Sequence, residues 1–185
     1  MEKEFTSKEV IDYLKKLDDS VDYPVTLILM GGTALGLLDN KPHSEDIDIT
    51  YLIPGKEKKD FLEKVVKNAE KRGISPSKVH IFSKDEAITL TCIADFSTRA
   101  IVYKNIKFKH LVIKIMNIYD IILTKVKRFE GRDLVDLKNI LKKIEISEPL
   151  LDRRFSILLQ NEFQKELFIK HYQKFKELYG SFLKK

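Results

Sequence analysis

Gly31-Gly32-Thr33-Ala34-Leu35, eight residues more, and then Ser44-Glu45-Asp46-Ile47-Asp48-Ile49 decide how this chain is read. Just upstream, Pro24 precedes Val25-Thr26-Leu27-Ile28-Leu29-Met30, a short apolar run with the character of a buried strand. Gly31-Gly32 ends that strand, and Thr33–Leu38 reads as the first turns of a helix. Adjacent glycines reach backbone angles closed to other residues and let a ligand approach the main chain. A helix starting near Thr33 would aim free N–H groups at the same spot, which suits an anion. Taken alone, a Gly-Gly pair reads rather as an ordinary strand-to-helix turn.

Asp46-Ile47-Asp48-Ile49-Thr50-Tyr51-Leu52 alternates with period two and reads as a second strand. Residues i and i+2 of a strand share a face, so the two carboxylates point the same way, about 6.7 Å apart along the chain. Two like charges at that separation repel by roughly 2.5 kcal/mol at an effective dielectric near 20. A hard divalent cation turns the repulsion into attraction, and oxygen ligands suit Mg²⁺. The alternative is a solvated face on a short edge strand.

Outward from this centre, Thr6–Leu17 opens with a Thr6-x-x-Glu9 capping pattern and carries Val10, Tyr13, Leu14 and Leu17 at helical spacing. Pro54-Gly55 closes the second strand, and Lys56–Arg72 is an amphipathic helix stopped by Gly73. Strands are expected at Val79–Phe82, Ala87–Phe96, Ala100–Tyr103 and Ile106–Phe108, with Asn105 at a tight turn. From Asn117 the period changes to 3.6, giving helices near 117–129, 133–144, 149–158 and 161–179. The class is therefore α+β: a mixed-sheet α/β core over 1–112 and a helical C-terminal part over 113–185.

The 185 residues are 43% hydrophobic and 34% charged, enough to bury a core and unlike a disordered chain. No apolar run approaches the roughly 18 residues that cross a bilayer. The charged start MEKEFTSKEV has no apolar segment of a secretory signal, so a cytoplasmic protein is expected. A single cysteine, Cys92, excludes an internal disulfide and a multi-cysteine zinc site, and reads as a small core residue. His43, His80, His110 and His171 show no close ligand spacing and receive no metal role. Residues 1–100 carry a net charge of −3 and residues 101–185 a net of +9. The basic half suits a polyanionic partner, or is a Lys-rich solvated surface. The aromatics from Phe163 to Phe182 read as core or dimer contacts, the latter implying a homo-oligomer, rather than a base-stacking platform.

The glycine and aspartate motif together resemble the signature of the DNA polymerase β-like nucleotidyltransferase superfamily, in particular its small prokaryotic branch containing abortive-infection (AbiEii-type) toxins. That resemblance implies a nucleotidyltransferase core fold and transfer of an NMP from an NTP to an acceptor hydroxyl. Gly31, Gly32, Thr33 and Ser44 would hold the triphosphate, and Asp46 and Asp48 would bind catalytic Mg²⁺. The family also expects a third carboxylate on a neighbouring strand. Asp95 fits that place, the alternative being a turn cap. The three would hold two Mg²⁺ about 3.5–4 Å apart. A second resemblance runs through Asp120–Arg128 and Gly131–Leu137, where Lys125, Arg128 and Arg132 form one helical stripe fit to neutralise phosphates. Asp133 and Asp136 would there either join the chemistry or act as helix-start and ion-pair residues.

Two positions depart from the family. Pro42 stands where Arg is common, with Lys41 and His43 as unequal substitutes, and Arg132 stands where Lys is frequent. They put the phosphate contacts and the choice of NTP in question. The toxin-like relatives and the basic half favour an RNA acceptor, a tRNA end, with an antitoxin protein as partner. A protein or small-molecule acceptor such as an antibiotic suits the same core, as does a non-catalytic module that binds nucleic acid or a partner.

Overall fold

The computed structural model describes residues 4–53, 57–91 and 93–183. Pro54, Gly55 and Cys92, to which the sequence assigns a strand stop and a core position, lie outside the described residues. The chain forms two compact units, residues 1–87 with 95–116, and residues 88–94 with 117–185.

In the first unit β1 (Phe5–Thr6) leads into α1 (Ser7–Ser20), whose N-terminus carries the expected capping box: Glu9 N–H donates to the Thr6 hydroxyl, and Thr6 N–H to the Glu9 carboxylate. β2 (Val25–Leu29), α2 (Gly31–Leu37), β3 (His43–Ser44), β4 (Ile47–Leu52) and α3 (Glu57–Lys71) follow. A short 3-10 turn, Pro76–Lys78, leads to β5 (Val79–Phe82). After α4 (Lys84–Thr91) come α5 (Phe96–Arg99), β6 (Ile101–Val102) and β7 (Leu111–Ile115).

The mixed sheet has the order β5-β4-β2-β7-β6, with β2 antiparallel to β4 and parallel to β7, and β4 parallel to β5. As the central strand, β2 buries both faces, which is why Val25-Thr26-Leu27-Ile28-Leu29 is a continuous apolar run rather than an alternating one. Tyr13, Leu14 and Leu17 of α1 and Phe61, Val65 and Ala69 of α3 are buried in the same core, and Tyr13 donates its hydroxyl hydrogen to the Val65 carbonyl.

The sequence expectations fail at two places before Asn117. Ala87–Phe96 is not a strand: Lys84–Thr91 is helical and Asp95 heads the short α5. Ile106–Phe108 forms no strand, and the strand lies instead at Leu111–Ile115, with Val25 N–H bonded to the His110 carbonyl at its edge. A carboxylate 91 positions away fixes that start: Asp18 accepts from the backbone N–H groups of Lys109, His110 and Leu111 at 2.7, 2.8 and 2.8 Å. Burial alone would raise the Asp18 carboxyl, and the three N–H groups outweigh it and hold it below the usual carboxylate range.

The second unit holds α6 (Ile118–Arg128), α7 (Gly131–Lys143), α8 (Glu148–Asn161) and α9 (Lys165–Leu183), close to the four helices expected. Along α9 Phe168, Tyr172, Phe175 and Tyr179 are buried, and Tyr172 stacks on Phe155 with centroids 3.8 Å apart. Phe163, expected among these contacts, is instead 98% exposed at the α8–α9 turn.

Asp18→Asn sets an amide NH₂ against the Lys109 N–H or against the pair from His110 and Leu111. It should cost about 2 kcal/mol in chemical denaturation, the range of hydrogen bonds to a charged group. Because the native carboxyl is depressed, its contribution is full above the unfolded value of about 3.9 and fades as pH falls through the native one. The acid limb of stability below about pH 4 should therefore be shallower in the variant.

Candidate active site

β2 ends at Leu29, and the next residues turn directly over the start of β4. Met30 N–H donates to the Asp48 carbonyl at 3.1 Å, and Gly31 takes a left-handed φ of 53°. A Cβ on Gly31 would stand 2.6 Å from Asp48 Oδ2, and one on Gly32 would stand 2.7 Å from Ser44 Oγ. Both glycines are thus required by close approach, and the first by its backbone angle as well. They form the first turn of α2, which begins two residues earlier than Thr33.

The hydroxyls beside them hold the aspartate strand. Thr33 Oγ1 donates to the Asp46 carbonyl at 3.0 Å and accepts from Asp48 N–H at 2.9 Å. Ser44 Oγ donates to the same Asp46 carbonyl at 2.7 Å. Asp46 sits in the bend just before β4 and Asp48 within the strand. Gly31, Gly32, Thr33, Ser44, Asp46 and Asp48 are therefore brought together in one place.

Two further residues meet the carboxylates from the edge strand β5. Its register sets His80 opposite Asp48, and His80 Nδ1 lies 3.0 Å from Asp48 Oδ1 while Nε2 lies 3.1 Å from the Ser77 carbonyl. Lys78 Nζ lies 3.3 Å from Asp46 Oδ1. Sequence reasoning missed both residues. The available signal was Lys78-Val79-His80-Ile81, whose alternation matches Asp46-Ile47-Asp48-Ile49.

Asp95 heads α5, 61% exposed in its side chain and ion-paired with Arg99. Among the described residues no group of three His, Cys, Asp or Glu could hold a metal ion. The donor set at Asp46 and Asp48 still suits a hard divalent cation, since both are carboxylates about a quarter exposed. Such an ion would draw its remaining ligands from water and phosphate.

Lys125, Arg128 and Arg132 belong to the second unit. Lys125 is 4% exposed, with Nζ 2.6 Å from Asp136 Oδ2 and 3.2 Å from Asp133 Oδ1. Arg128 makes a two-pronged pair with Asp133 through Nε and Nη2, at 3.2 and 2.7 Å. Arg132 is exposed on the first turn of α7. Asp133 is also the third residue of α7 in a capping box with Glu130, so the helix-start and ion-pair roles are both realised. Burial alone would raise its carboxyl, and the Arg128 hydrogen bonds with the Lys125 and Arg128 charges hold it below the usual range.

Lys125→Met would leave two buried carboxylates without their ammonium. It should destabilise the protein by about 3–5 kcal/mol in a denaturant titration, as removal of one partner from a buried pair does. A variant of wild-type stability would show that the pairs with Asp133 and Asp136 contribute nothing to the fold.

Comparison with known proteins gives a family and a fold. Residues 6–180 match a family described as "Nucleotidyltransferase of unknown function (DUF6036)". Among solved structures, an antigenic nucleotidyltransferase-like protein from Paracoccidioides brasiliensis superposes with a TM-score of 0.58 over 98% of this chain and 95% of that one. At 18% identity, that likeness speaks for the fold alone. No curated protein matches the chain. With a match that spans nearly all of the sequence and a glycine turn packed on paired aspartates, the chain belongs to the DUF6036 family of nucleotidyltransferases.

Proposed function

We propose that this protein transfers an NMP from an NTP to an acceptor hydroxyl, with Asp46 and Asp48 as ligands of catalytic Mg²⁺. The observation that carries the proposal is the seating of Gly31 and Gly32 directly on Asp48 and Ser44, where added side chains would collide. The arrangement brings the main chain of the turn directly against the Asp48 carboxylate, beside which a triphosphate would bind. Nucleotidyltransferases generally work with divalent metal, which activates the attacking hydroxyl and neutralises charge on the α-phosphate and departing pyrophosphate.

The chain's own part is orientation and charge. Thr33 and Ser44 fix the Asp46 carbonyl and Thr33 the Asp48 N–H, and with them the backbone from which both carboxylates project. The Gly31-Gly32 backbone would border the phosphates. Catalysis of this kind rests on positioning and preorganised electrostatics. Asp95 would join as a third ligand, serving two ions, only by giving up its pair with Arg99.

For the acceptor we propose RNA, a tRNA end, supported by the net +9 of residues 101–185. The stripe itself is weaker support than the sequence implied, because Lys125 and Arg128 already pair with Asp133 and Asp136. A toxin role with an antitoxin partner rests on the motif's resemblance to abortive-infection enzymes. One observation favours a second reading, a non-catalytic binding module: both aspartates already have partners in Lys78 and His80.

Incubating the protein with Mg²⁺, total RNA and each labelled NTP in turn should label RNA with one nucleotide in preference to the others. Label on protein or a small molecule would redirect the acceptor, and no label anywhere favours the binding module. Asp48→Asn should lower transfer by at least about 10²-fold, the scale of losing one transition-state electrostatic contact, with the far-UV spectrum unchanged. Asp95→Asn decides its own role: a comparable loss with a raised Mg²⁺ requirement makes it a ligand, and full activity makes it a helix start.

A further inference from the structure

We propose that Lys78 is the resident counter-ion of the Asp46/Asp48 pair, with His80 steadying Asp48, and that this makes divalent-cation binding conditional on a nucleoside triphosphate. The inference rests on the nucleotidyl-transfer reading of this site and adds an order of binding to it.

The evidence is the match between two neighbouring strands. Parallel pairing of β4 with β5 sets Ile47 beside Val79, Asp48 beside His80 and Ile49 beside Ile81. Lys78 thereby falls beside Asp46, and its ammonium lies 3.3 Å from a carboxylate oxygen, with both side chains about three-quarters buried. Thr33 and Ser44 hold the Asp46 carbonyl and Thr33 also holds the Asp48 N–H, so the backbone that carries both carboxylates is fixed next to these partners. Lys78, ion-paired with Asp46, therefore competes with a free divalent cation for that carboxylate.

A carboxylate pair of which one member, Asp46, already holds an ammonium attracts a second cation far less than two bare carboxylates. Mg²⁺ gives up its water reluctantly and is usually held by one or two carboxylates together with substrate phosphates. Among the described residues no third metal-binding side chain completes a cage around Asp46 and Asp48. A triphosphate changes both terms. Its oxygens supply the missing ligands, and its negative charge gives the Lys78 ammonium another anion to pair with. Metal and nucleotide then strengthen each other's binding by the same factor.

Mn²⁺ serves as the probe, its free concentration read by electron paramagnetic resonance at one fixed pH. Without nucleotide, Lys78→Met should bind Mn²⁺ at least about tenfold tighter than wild type, and Lys78→Arg should behave as wild type. With a non-hydrolysable NTP analogue present, the difference between wild type and Lys78→Met should shrink. Thermal melting of metal-free protein gives an independent reading: Lys78→Met should melt lower than wild type and recover with Mn²⁺. Equal Mn²⁺ affinities for wild type and Lys78→Met, tight or immeasurable, overturn the inference. A Mn²⁺ gain in Lys78→Met without any nucleotide transfer by wild type keeps the counter-ion and removes the transferase reading. Transfer by wild type with no Mn²⁺ gain in Lys78→Met does the reverse.

Discussion

The Thr33 hydroxyl stands between two backbone groups of a neighbouring strand, donating to the Asp46 carbonyl and accepting from the Asp48 N–H. One small side chain thus ties the first turn of α2 to the residues that carry the acidic pair. Ser44 adds a second donor to the same carbonyl, and Met30 closes the other side through the Asp48 carbonyl. Had a bulkier residue replaced Gly31 or Gly32, the turn could not lie this close, and the hydroxyl would not reach. The backbone position of both aspartates follows from that contact, and the β4–β5 register sets Asp48 opposite His80.

The part of the site built from nearby sequence was legible, and the part built by strand pairing was not. Gly31, Gly32, Thr33, Ser44, Asp46 and Asp48 lie within eighteen residues of one another in a pattern dense enough to recognise. Lys78 and His80 reach the aspartates only through the β4–β5 register, which no local spacing announces. A similar limit explains Lys125 and Arg128. Their common helical face was readable, but the buried carboxylates that neutralise them come from the next helix, and the depth of burial is a tertiary fact.

The misread segment 87–96 has a different cause. Ala87-Ile88-Thr89-Leu90-Thr91 is rich in β-branched residues and alternates well enough to pass for a strand. Its beginning decides otherwise: Ser83 N–H donates to the Glu86 carboxylate and Glu86 N–H to the Ser83 hydroxyl, a capping box that starts a helix. That pattern was present in the sequence and outweighs the propensity of the residues after it. The missed strand at Leu111–Ile115 has no such local marker, because its start is fixed by a carboxylate on α1.

The grip of Asp18 on three successive amides separates the placement of β7 from the path that leads to it. The chain from Tyr103 to His110 contains no helix or strand and is mostly exposed or half-exposed, while the amides of Lys109 to Leu111 are held from outside that loop. Insertions or deletions between Tyr103 and Lys107 would alter the loop and leave the pairing of Leu111 with Val25 in register. Length variation is thus confined to the surface, where closing a longer loop costs little. Asp18 is the residue through which this sheet tolerates a changing loop without losing its alignment.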